Sequence, residues 1–335
     1  MTSLEYGYIV KELQSLVEKR FRKFYFIRGN LYRMKIGEAD IVCEPGVRLH
    51  ITKYLEESDD ADNLTQKMRK ELENAKVLAI RQLNNDRVVV FEFADGLNLY
   101  FEMFAKGNII LVKDGKTVMA MREEHWADRE IAHGKPYCPP KSSTVEKLEA
   151  VLSEKYIVAC MMKLPLGKEY AKEILQRCDI KETRPGNSLT ESQVGGINKQ
   201  ISDIKKKQKP YLFKSRKEGR SIEYGLVIFS GMDAIETESQ EKKSLSEALD
   251  EYYNDQSKEG IDPETEKLIG RLKKQEERLA ELNAMENELK TKGDYINKNY
   301  EKIEEVLKIA SSNPEKLEKY NVKTDKKEKK IEIEI

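Results

Sequence analysis

The sequence lacks the features that define several protein classes. Its four cysteines are scattered and form no C-x-x-C pair, which argues against a disulfide scaffold or a zinc site and fits a reducing cytosol. No stretch is apolar enough to span a membrane, and the first residues, Met1-Thr2-Ser3, lack the pattern of a signal peptide. Because 60 basic residues balance 60 acidic ones, the overall charge predicts no partner.

Catalytic signatures are missing as well. The sequence contains no P-loop, dinucleotide-binding, nucleophile-elbow or helix-borne zinc motif. The three histidines, His50, His125 and His133, do not have the spacing of a helix-borne metal pair. We therefore expect ordinary polar or half-buried histidines, and the residues predict neither an enzyme active site nor a cofactor nor a metal site.

Turn and strand signals dominate the first 143 residues. A helix is predicted over Leu4–Lys19, and short strands follow with a hairpin signal at Gly29-Asn30. A second helix is predicted over Asn63–Asn74, and a β-meander over Lys76–Met121. Residues 1–143 are therefore predicted to form a β-rich N-terminal domain.

The pattern becomes helical over residues 144–207. Leu164-Pro165-Leu166-Gly167 interrupts it, and a helix restarts at Lys168. This arrangement is typical of a helix-hairpin-helix element, whose glycine lets a phosphate approach the backbone N–H groups of the next helix. A plain helical turn is the alternative. Further along, Thr190 and Gln193 form a T-x-x-Q capping box, which predicts another helix start.

Residues 208–260 return to a strand pattern. Tyr211–Ser230 is strand-like, and Leu245–Tyr253 is predicted as a short helix. We expect this connecting segment to complete the N-terminal module.

Heptads follow and predict the first half of a coiled-coil arm over residues 261–310. The alternative is a long helix packed on the body. The tail, 311–335, ends in the alternating strand pattern of Lys329–Ile335 with no partner strand after it, and we expect a piece of a longer protein. The predicted seam positions are Leu268, Leu272, Gln275, Leu279, Leu282, Glu286, Leu289, Gly293, Ile296, Tyr300, Ile303 and Leu307.

Two segments are strongly basic. Met1–Lys35 contains eight Lys or Arg against three Glu, a net charge of +5, and Lys205–Arg220 contains eight against one, a net charge of +7. Tyr211 and Phe213 lie within or beside the second cluster. Basic residues near aromatics are typical of contacts to phosphates and unpaired bases. A solvated charged face is the alternative, and for the first cluster the two are evenly weighted.

A charged pair, Asp86-Arg87, precedes the strongly β-forming run Val88–Phe93. A charged pair at the entrance to a strand is either a structural ion pair or a recognition element. The residues alone leave both interpretations open.

An ordered set of motifs resembles the NFACT family, also labelled fibronectin-binding protein A, and its archaeal branch in particular. The motifs are Arg48-Leu49-His50-Ile51-Thr52, Met68-Arg69-Lys70-Glu71-Leu72, Asn85-Asp86-Arg87, Phe104-Ala105-Lys106-Gly107-Asn108 and Pro136-Tyr137-Cys138-Pro139-Pro140. The resemblance covers roughly the whole chain, but the family's C-terminal NFACT-R domain has no match.

The resemblance implies an α+β fold with a glycosylase-like N-terminal domain, a helix-hairpin-helix domain and a coiled-coil arm. It also implies a cytoplasmic, non-catalytic factor that binds stalled large ribosomal subunits with peptidyl-tRNA. Such a factor helps to recruit aminoacyl-tRNA, so that the ribosome adds a C-terminal tail to the nascent chain. The arm would reach ribosomal proteins, and its self-association in isolation is left open.

The resemblance further assigns residues. Asp86 and Arg87 match the pair that the family needs for tail elongation, and Glu5 stands where the family usually has Asp. Arg81 is a further expected tRNA contact. The expected contacts to the nucleic-acid backbone are Gly167, Lys168, Lys205, Lys206, Lys207, Lys209, Lys214 and Arg216.

Three rival functions remain at this point. The older family label implies a fibronectin-binding adhesin, against which the missing signal peptide counts. The glycosylase-like fold implies a nucleic-acid-binding module related to DNA glycosylases. Those enzymes use an N-terminal proline amine, and this sequence begins Met1-Thr2-Ser3, so we expect no glycosylase chemistry. A purely structural coiled-coil scaffold is the third.

Overall fold

The computed structural model describes residues 1–126, 129–141, 145, 147–258, 289–312, 322–325 and 330–333, with the single positions 271, 275, 282, 285 and 286. The chain divides into two units, Met1–Gly260 and Ile261–Ile335. Helices and sheets are mixed, and the N-terminal region is rich in strands. This coarse architecture confirms the prediction of a mixed α+β fold with a strand-rich N-terminal region, while the helix-hairpin-helix domain stays a prediction.

The first unit opens with helix α1, Ser3–Leu13, and a short 3-10 turn, Gln14–Leu16. An antiparallel sheet with its strands in chain order follows, and the turn at Gly29-Asn30 joins its first two strands, which confirms the predicted hairpin. Its strands are β1, Phe21–Arg28; β2, Leu31–Ile36; β3, Ala39–Glu44; and β4, Arg48–Thr52.

Helix α2, Asn63–Glu71, leads to a second antiparallel sheet, again in chain order. This sheet confirms the predicted meander. Its strands are β5, Val77–Gln82; β6, Val88–Phe93; β7, Leu97–Glu102; β8, Asn108–Lys113; and β9, Lys116–Ala120. A two-stranded ribbon follows, formed by β10, Glu124–His125, and β11, Glu130–Ile131.

The middle of the unit is helical. Its helices are α3, Ile157–Met161; α4, Lys168–Arg177; and α5, Glu191–Lys206; short 3-10 turns lie at Leu148–Val151 and Gly186–Ser188. Thr190 and Gln193 make both hydrogen bonds of the capping box at the start of α5, as predicted. These side chains pair with backbone N–H groups that a helix start leaves without partners.

A third sheet and a helix complete the unit. The sheet contains β12, Tyr211–Ser215; β13, Ser221–Gly225; and β14, Thr237–Glu241, with β12 in the centre. Helix α6 spans Leu245–Lys258. The sequence predicts β12, β13 and α6, but not β14, whose Thr, Glu, Ser and Gln residues carry no apolar alternation.

One hydrophobic core joins these parts. Tyr6, Phe101, Tyr170, Phe213 and Leu249 belong to the same buried cluster, although they come from all three predicted segments of residues 1–260. Burial of aromatic and aliphatic surface is the main source of folding free energy. The segments 1–143, 144–207 and 208–260 therefore stabilise one another.

Helix α6 is tied to the start of the chain by polar bonds. The Glu12 carboxylate accepts hydrogen bonds from the N–H groups of Leu245 and Ser246, at 2.6 and 3.1 Å, and so caps α6 from α1. His50 Nε2 lies 3.0 Å from Asp250 Oδ1. Both bonds hold the first sheet and α1 against a helix that lies 200 residues or more along the chain.

The second unit contains helix and a β-ribbon. Residues 289–298 are helical, and α7 spans Tyr300–Ser312. Strand β15, Val322–Asp325, pairs antiparallel with β16, Lys330–Ile333. The predicted strand at the end of the chain therefore pairs with a strand that precedes it.

The coiled-coil arm stays a prediction. Leu268, Leu272 and Leu279 of its predicted seam lie outside the described residues. Five of the described apolar seam positions are exposed: Leu282, Leu289, Ile296, Tyr300 and Leu307. In the part of the chain that the structure describes, no helix is both long and apolar enough to cross a membrane.

Candidate functional site

The Asp86-Arg87 pair lies on a short connection between β5 and β6. Asn84 and Asn85 have φ angles of 51° and 52°, and the Asp86 N–H donates to Leu83 O at 2.8 Å. Two left-handed central residues are the mark of a type I′ turn, a conformation that asparagine tolerates well. The turn places Asp86 and Arg87 on its return limb, immediately before the buried strand β6.

This connection is fixed to α1. Gln82 Nε2 donates to the carbonyl oxygens of Ser3, at 2.7 Å, and Asp86, at 2.8 Å. Asp86 Oδ1 accepts from the N–H of Arg87 at 2.7 Å. One amide side chain and one carboxylate therefore set the position of the half-buried pair before any ligand arrives.

The two side chains do not form an ion pair with each other. Asp86 binds the Arg87 backbone, and among the described residues the Arg87 guanidinium has no side-chain or backbone partner. A half-buried guanidinium carries five N–H donors, and leaving them without protein acceptors favours binding of an external anion or base edge. Of the two interpretations of this pair, the geometry favours recognition.

Glu5 is enclosed within the protein. It is 4% exposed, accepts from the Thr2 N–H at 2.6 Å in the capping box of α1, and accepts from the Tyr170 hydroxyl at 2.8 Å. The Tyr170 oxygen in turn accepts from the N–H of Leu226 at 3.0 Å. Glu5 therefore connects the start of α1 to α4 and to the segment after β13, and both of its oxygens are already used.

Other charged groups lie around the start of α1. Burial lowers the pKa of the Met1 amine, which the Glu5 carboxylate opposes and the Arg87 guanidinium assists. Burial also raises the pKa of Glu223, and the nearby Glu5 carboxylate adds to this effect. Gln82, Tyr170 and Glu223 were not predicted, because a polar residue on a strand or helix carries no sign of its distant partner.

Gly167 and Lys168 lie where α4 begins. Gly167 has a φ of +99°, and a Cβ at this position would collide with the Thr2 side chain, the N-cap of α1. The glycine thus allows the starts of two helices to pack closely. Lys168 is exposed and has no ion-pair partner among the described residues.

The other predicted tRNA contact, Arg81, lies on β5. Its guanidinium is 62% exposed and forms an ion pair with Glu92 on the neighbouring strand. An exposed ion pair of this kind contributes little to stability. Unlike Arg87, Arg81 already has an acidic partner.

The second basic cluster is partly neutralised. Lys207 lies 3.7 Å from Asp203, Lys209 2.9 Å from Glu241, and Lys214 3.4 Å from Glu251. The hydrogen bond to Glu241 raises the pKa of Lys209. The cations without an ion pair among the described residues are Lys205, Lys206, Arg216 and Lys217, all exposed.

The aromatic residues of that cluster do not form a stacking platform. Phe213 is 1% exposed and belongs to the hydrophobic core, so it is not available to stack on an unpaired base. It lies on the central strand of its sheet, and its ring packs against Phe229 with the ring centroids 5.5 Å apart. Tyr211 is half-buried, and its hydroxyl lies 3.5 Å from Glu241.

Across residues 1–258, apart from the few not described, and the described positions beyond, no three His, Cys, Asp or Glu side chains come together as metal ligands.

Comparison with known proteins gives consistent results. A family model described as "NFACT N-terminal and middle domains" matches residues 6–335. The chain is 28% identical over 367 residues to "Archaeal Rqc2 homolog aRqcH" of Methanocaldococcus jannaschii, covering 96% of this chain and 54% of that protein. It is 26% identical over 207 residues to "Ribosome quality control complex subunit 2" of Schizosaccharomyces pombe, covering 57% of this chain and 20% of that protein.

A solved structure shares the fold. The chain is similar to the fibrinogen binding protein from Staphylococcus aureus, with a TM-score of 0.60 and 17% identity, over 75% of this chain and 98% of that one. At this identity the likeness concerns the fold alone. The chain spans about half the length of the archaeal relative and a fifth of the yeast one.

Proposed function

The chain belongs to the NFACT family, and on this basis we propose that it acts in ribosome quality control. In this proposal the protein binds stalled large ribosomal subunits that carry peptidyl-tRNA and helps to recruit aminoacyl-tRNA. The ribosome forms the peptide bonds of the C-terminal tail, and the protein works in the cytoplasm without catalysis of its own. The names of the archaeal and yeast relatives support the role.

The unpaired Arg87 guanidinium is the observation that carries the proposal. Arginine binds phosphates through two parallel hydrogen bonds and binds base edges in the same planar geometry. Because Gln82 and Asp86 already fix the backbone of this connection, binding has to order only the Arg87 side chain. Arg87 is thus the direct tRNA contact, and Asp86 orients it while keeping one oxygen for a nucleotide donor.

Glu5 has a positioning role in this proposal. Its carboxylate is buried and engaged by Thr2 and Tyr170, so it holds α1 in place beside the Asp86-Arg87 connection. A longer side chain than the usual Asp suits this role, since it spans from the capping box to the Tyr170 hydroxyl. Arg81 contributes a secondary contact, made at the expense of its ion pair with Glu92.

The remaining predicted contacts differ in whether they already have an acidic partner within the protein. Lys168, Lys205, Lys206 and Arg216 are exposed and unpaired within the described part of the chain, and they supply the contacts to the RNA backbone. Lys207, Lys209 and Lys214 must first leave their carboxylate partners, and Gly167 acts through close helix packing. The predicted arm, 261–310, would reach ribosomal proteins.

Binding of a labelled tRNA transcript, followed by fluorescence anisotropy at several salt concentrations, tests the site. Arg87→Ala is expected to weaken binding by about 1.5–3 kcal/mol, the range for hydrogen bonds to charged groups, or roughly tenfold or more. Arg87→Lys keeps the charge without the planar fork and should recover part of the loss. Asp86→Asn keeps an oxygen that accepts from the Arg87 N–H but removes the negative charge. It therefore separates the role of Asp86 in orienting Arg87 from the effect of its charge.

A matched arginine provides the control. Arg184 is also half-buried, but its guanidinium donates to the hydroxyl and carbonyl oxygens of Ser188, at 3.1 and 2.7 Å. Arg184→Ala should leave tRNA binding unchanged. Equal losses in Arg87→Ala and Arg184→Ala, or wild-type binding in Arg87→Ala, would remove Arg87 from the site.

The wider role needs a separate measurement. The protein is expected to co-sediment with large ribosomal subunits that carry peptidyl-tRNA, and less with empty subunits. Arg87→Ala should reduce tail formation in a cell-free stalling reaction even where co-sedimentation persists. Absence of co-sedimentation with either kind of subunit would contradict the ribosomal role, whatever the tRNA measurements show.

A further inference from the structure

On the first sheet, one half-buried tyrosine is surrounded by cations. The Tyr25 ring centroid lies 5.1 Å from Lys23 Nζ, 4.3 Å from Arg33 Cζ and 5.9 Å from Arg69 Cζ. Lys35 follows two residues after Arg33 on β2. We refer to Lys23, Tyr25, Arg33, Lys35 and Arg69 as the Tyr25 surface. Four of its members belong to the basic segment Met1–Lys35, for which the sequence left open either a nucleic-acid contact or a solvated charged face.

The strand register brings like charges together. In the pairing of β1 with β2, Lys23 lies opposite Lys35, and Tyr25 lies opposite Arg33. Directly opposed residues project from the same face of a sheet, and like charges in that position destabilise the strand pair. The chain therefore places positive charge where it costs stability, and a bound anion would remove that cost.

The Tyr25 surface keeps most of its charge. Asp40 on β3 opposes it, with Oδ1 3.5 Å from Arg33 Nε and Oδ2 4.0 Å from Lys35 Nζ. Lys23 and Arg69 have no ion pair among the described residues. Four cations thus face one carboxylate. By contrast, Arg28 pairs with Glu56, Lys67 with Glu71, and Lys76 with Glu18.

The cationic groups are held in place without a ligand. Arg69 Nε donates to Phe24 O at 2.8 Å, and only 12% of the Arg33 side chain is exposed. Cation–π attraction to the Tyr25 ring further restricts Lys23, Arg33 and Arg69. Positioned cations lose less side-chain entropy on binding, so this arrangement favours an anionic ligand more than four free lysines would.

We propose that the Tyr25 surface binds the phosphodiester backbone of folded RNA. The guanidinium groups of Arg33 and Arg69 would donate to phosphate oxygens, and Lys23 and Lys35 would act as point charges. Contacts of this kind do not depend on base sequence. The choice of RNA among polyanions rests on the proposed function, whereas the surface itself involves neither Asp86 nor Arg87.

The test compares the wild type with Lys23→Gln/Lys35→Gln in binding a labelled tRNA transcript across a salt series. Each phosphate contact adds about one to the slope of log affinity against log salt, so the double variant should lower that slope by about two. Affinity at moderate salt should fall roughly tenfold. The midpoint of urea unfolding should stay unchanged or rise, because the repulsion between the two lysines is gone.

Another hairpin supplies the matched control. Lys113 and Lys116 are exposed and also lie opposite each other, on β8 and β9, and within the described residues neither lysine has a cation–π contact. Lys113→Gln/Lys116→Gln should leave the slope and the affinity for RNA unchanged. An equal loss of RNA affinity in both double variants would show that only the overall charge of the protein matters, and this result would overturn the proposal.

Two further outcomes decide against the proposal. A wild-type slope in Lys23→Gln/Lys35→Gln overturns it, and so does a loss of binding to phosphatidylserine vesicles with RNA binding intact. Arg87→Ala, measured alongside, keeps the two proposals apart. If it alone weakens RNA binding, the proposed function stands and the Tyr25 surface fails; the opposite pattern supports the surface and removes Arg87 as the contact.

Discussion

Tyr170 donates its hydroxyl to Glu5 across 165 residues of sequence, at 2.8 Å. Both side chains are at least 96% buried, and the Tyr170 oxygen also accepts from the Leu226 N–H. One phenol thus joins three segments of the first unit. A buried carboxylate and a buried N–H group would both lose a partner if this hydroxyl were removed.

We therefore expect Tyr170→Phe to lower the free energy of unfolding by about 1–3 kcal/mol, the cost of leaving buried polar groups without partners. Urea unfolding, monitored by circular dichroism, measures this change in the free energy of unfolding. Tyr211→Phe is the control, because its hydroxyl is exposed and makes only a long contact of 3.5 Å to Glu241. Equal changes in the two variants would show that the Glu5 contact contributes nothing.

Gly167→Ala should destabilise the protein through a clash between α4 and α1. The backbone of Gly167, with φ 99° and ψ 162°, costs any non-glycine residue about 1–3 kcal/mol, and contact of the new Cβ with Thr2 adds to this cost. Gly134→Ala is the control without the clash, since Gly134 also has a positive φ, 77°, but nothing lies within 4 Å of its Cβ position. Thermal unfolding of both variants should show the larger loss for Gly167→Ala.

His50 should make stability depend on pH. Burial lowers the pKa of this fully buried imidazole below the ordinary value of 6.5, although the Asp250 hydrogen bond opposes the shift. The unfolded chain then binds a proton more readily than the folded one. Stability is therefore complete above pH 6.5 and falls as the pH drops towards the lower pKa of the folded state.

His50→Gln tests this dependence, because glutamine can still donate to Asp250 but does not titrate. The difference in unfolding free energy between wild type and variant should be larger at pH 7 than at pH 5. Comparing the two proteins cancels the opposite contributions of Glu102 and Glu223, whose pKa values burial raises. A difference that does not change with pH would contradict the prediction.

Glu241→Gln should strengthen RNA binding through the second basic cluster. Glu241 accepts from Lys209 Nζ at 2.9 and 3.0 Å, so the substitution releases a cation and removes a negative charge. When Lys209→Gln is already present, Glu241→Gln should strengthen RNA binding less, because it then removes the negative charge of Glu241 without releasing a cation. Anisotropy of a labelled tRNA transcript measures both, and an unchanged affinity in Glu241→Gln would exclude this segment as a contact.

Local signals in the sequence were sufficient for most elements. Gly29-Asn30 and the Thr190–Gln193 capping box act within a few residues, and the structure confirms both. Strand β14 was missed, because its polar residues lie on the exposed edge of a sheet and its place depends on pairing with β12. Edge strands bury little, so apolar alternation does not reveal them.

The candidate site was less predictable than the fold. Asp86 and Arg87 were located from the sequence, but the absence of an ion pair between them depends on the turn and on Gln82. The charge of the second basic cluster was overestimated, because Lys209 meets Glu241 only after the strands pair. Phe213 was counted among the aromatics near the cations, although it is buried in the core. Each error concerns a partner that is distant in sequence.

The bonds from α6 to Glu12 and His50 have a consequence for synthesis. The first sheet is complete once Thr52 has left the ribosome, yet its helix partner is translated some 200 residues later. Contacts of such long range are slow to form. Until α6 emerges, His50 and the inner side of α1 stay uncovered, so the nascent first unit is open to chaperones and to premature association with neighbouring chains.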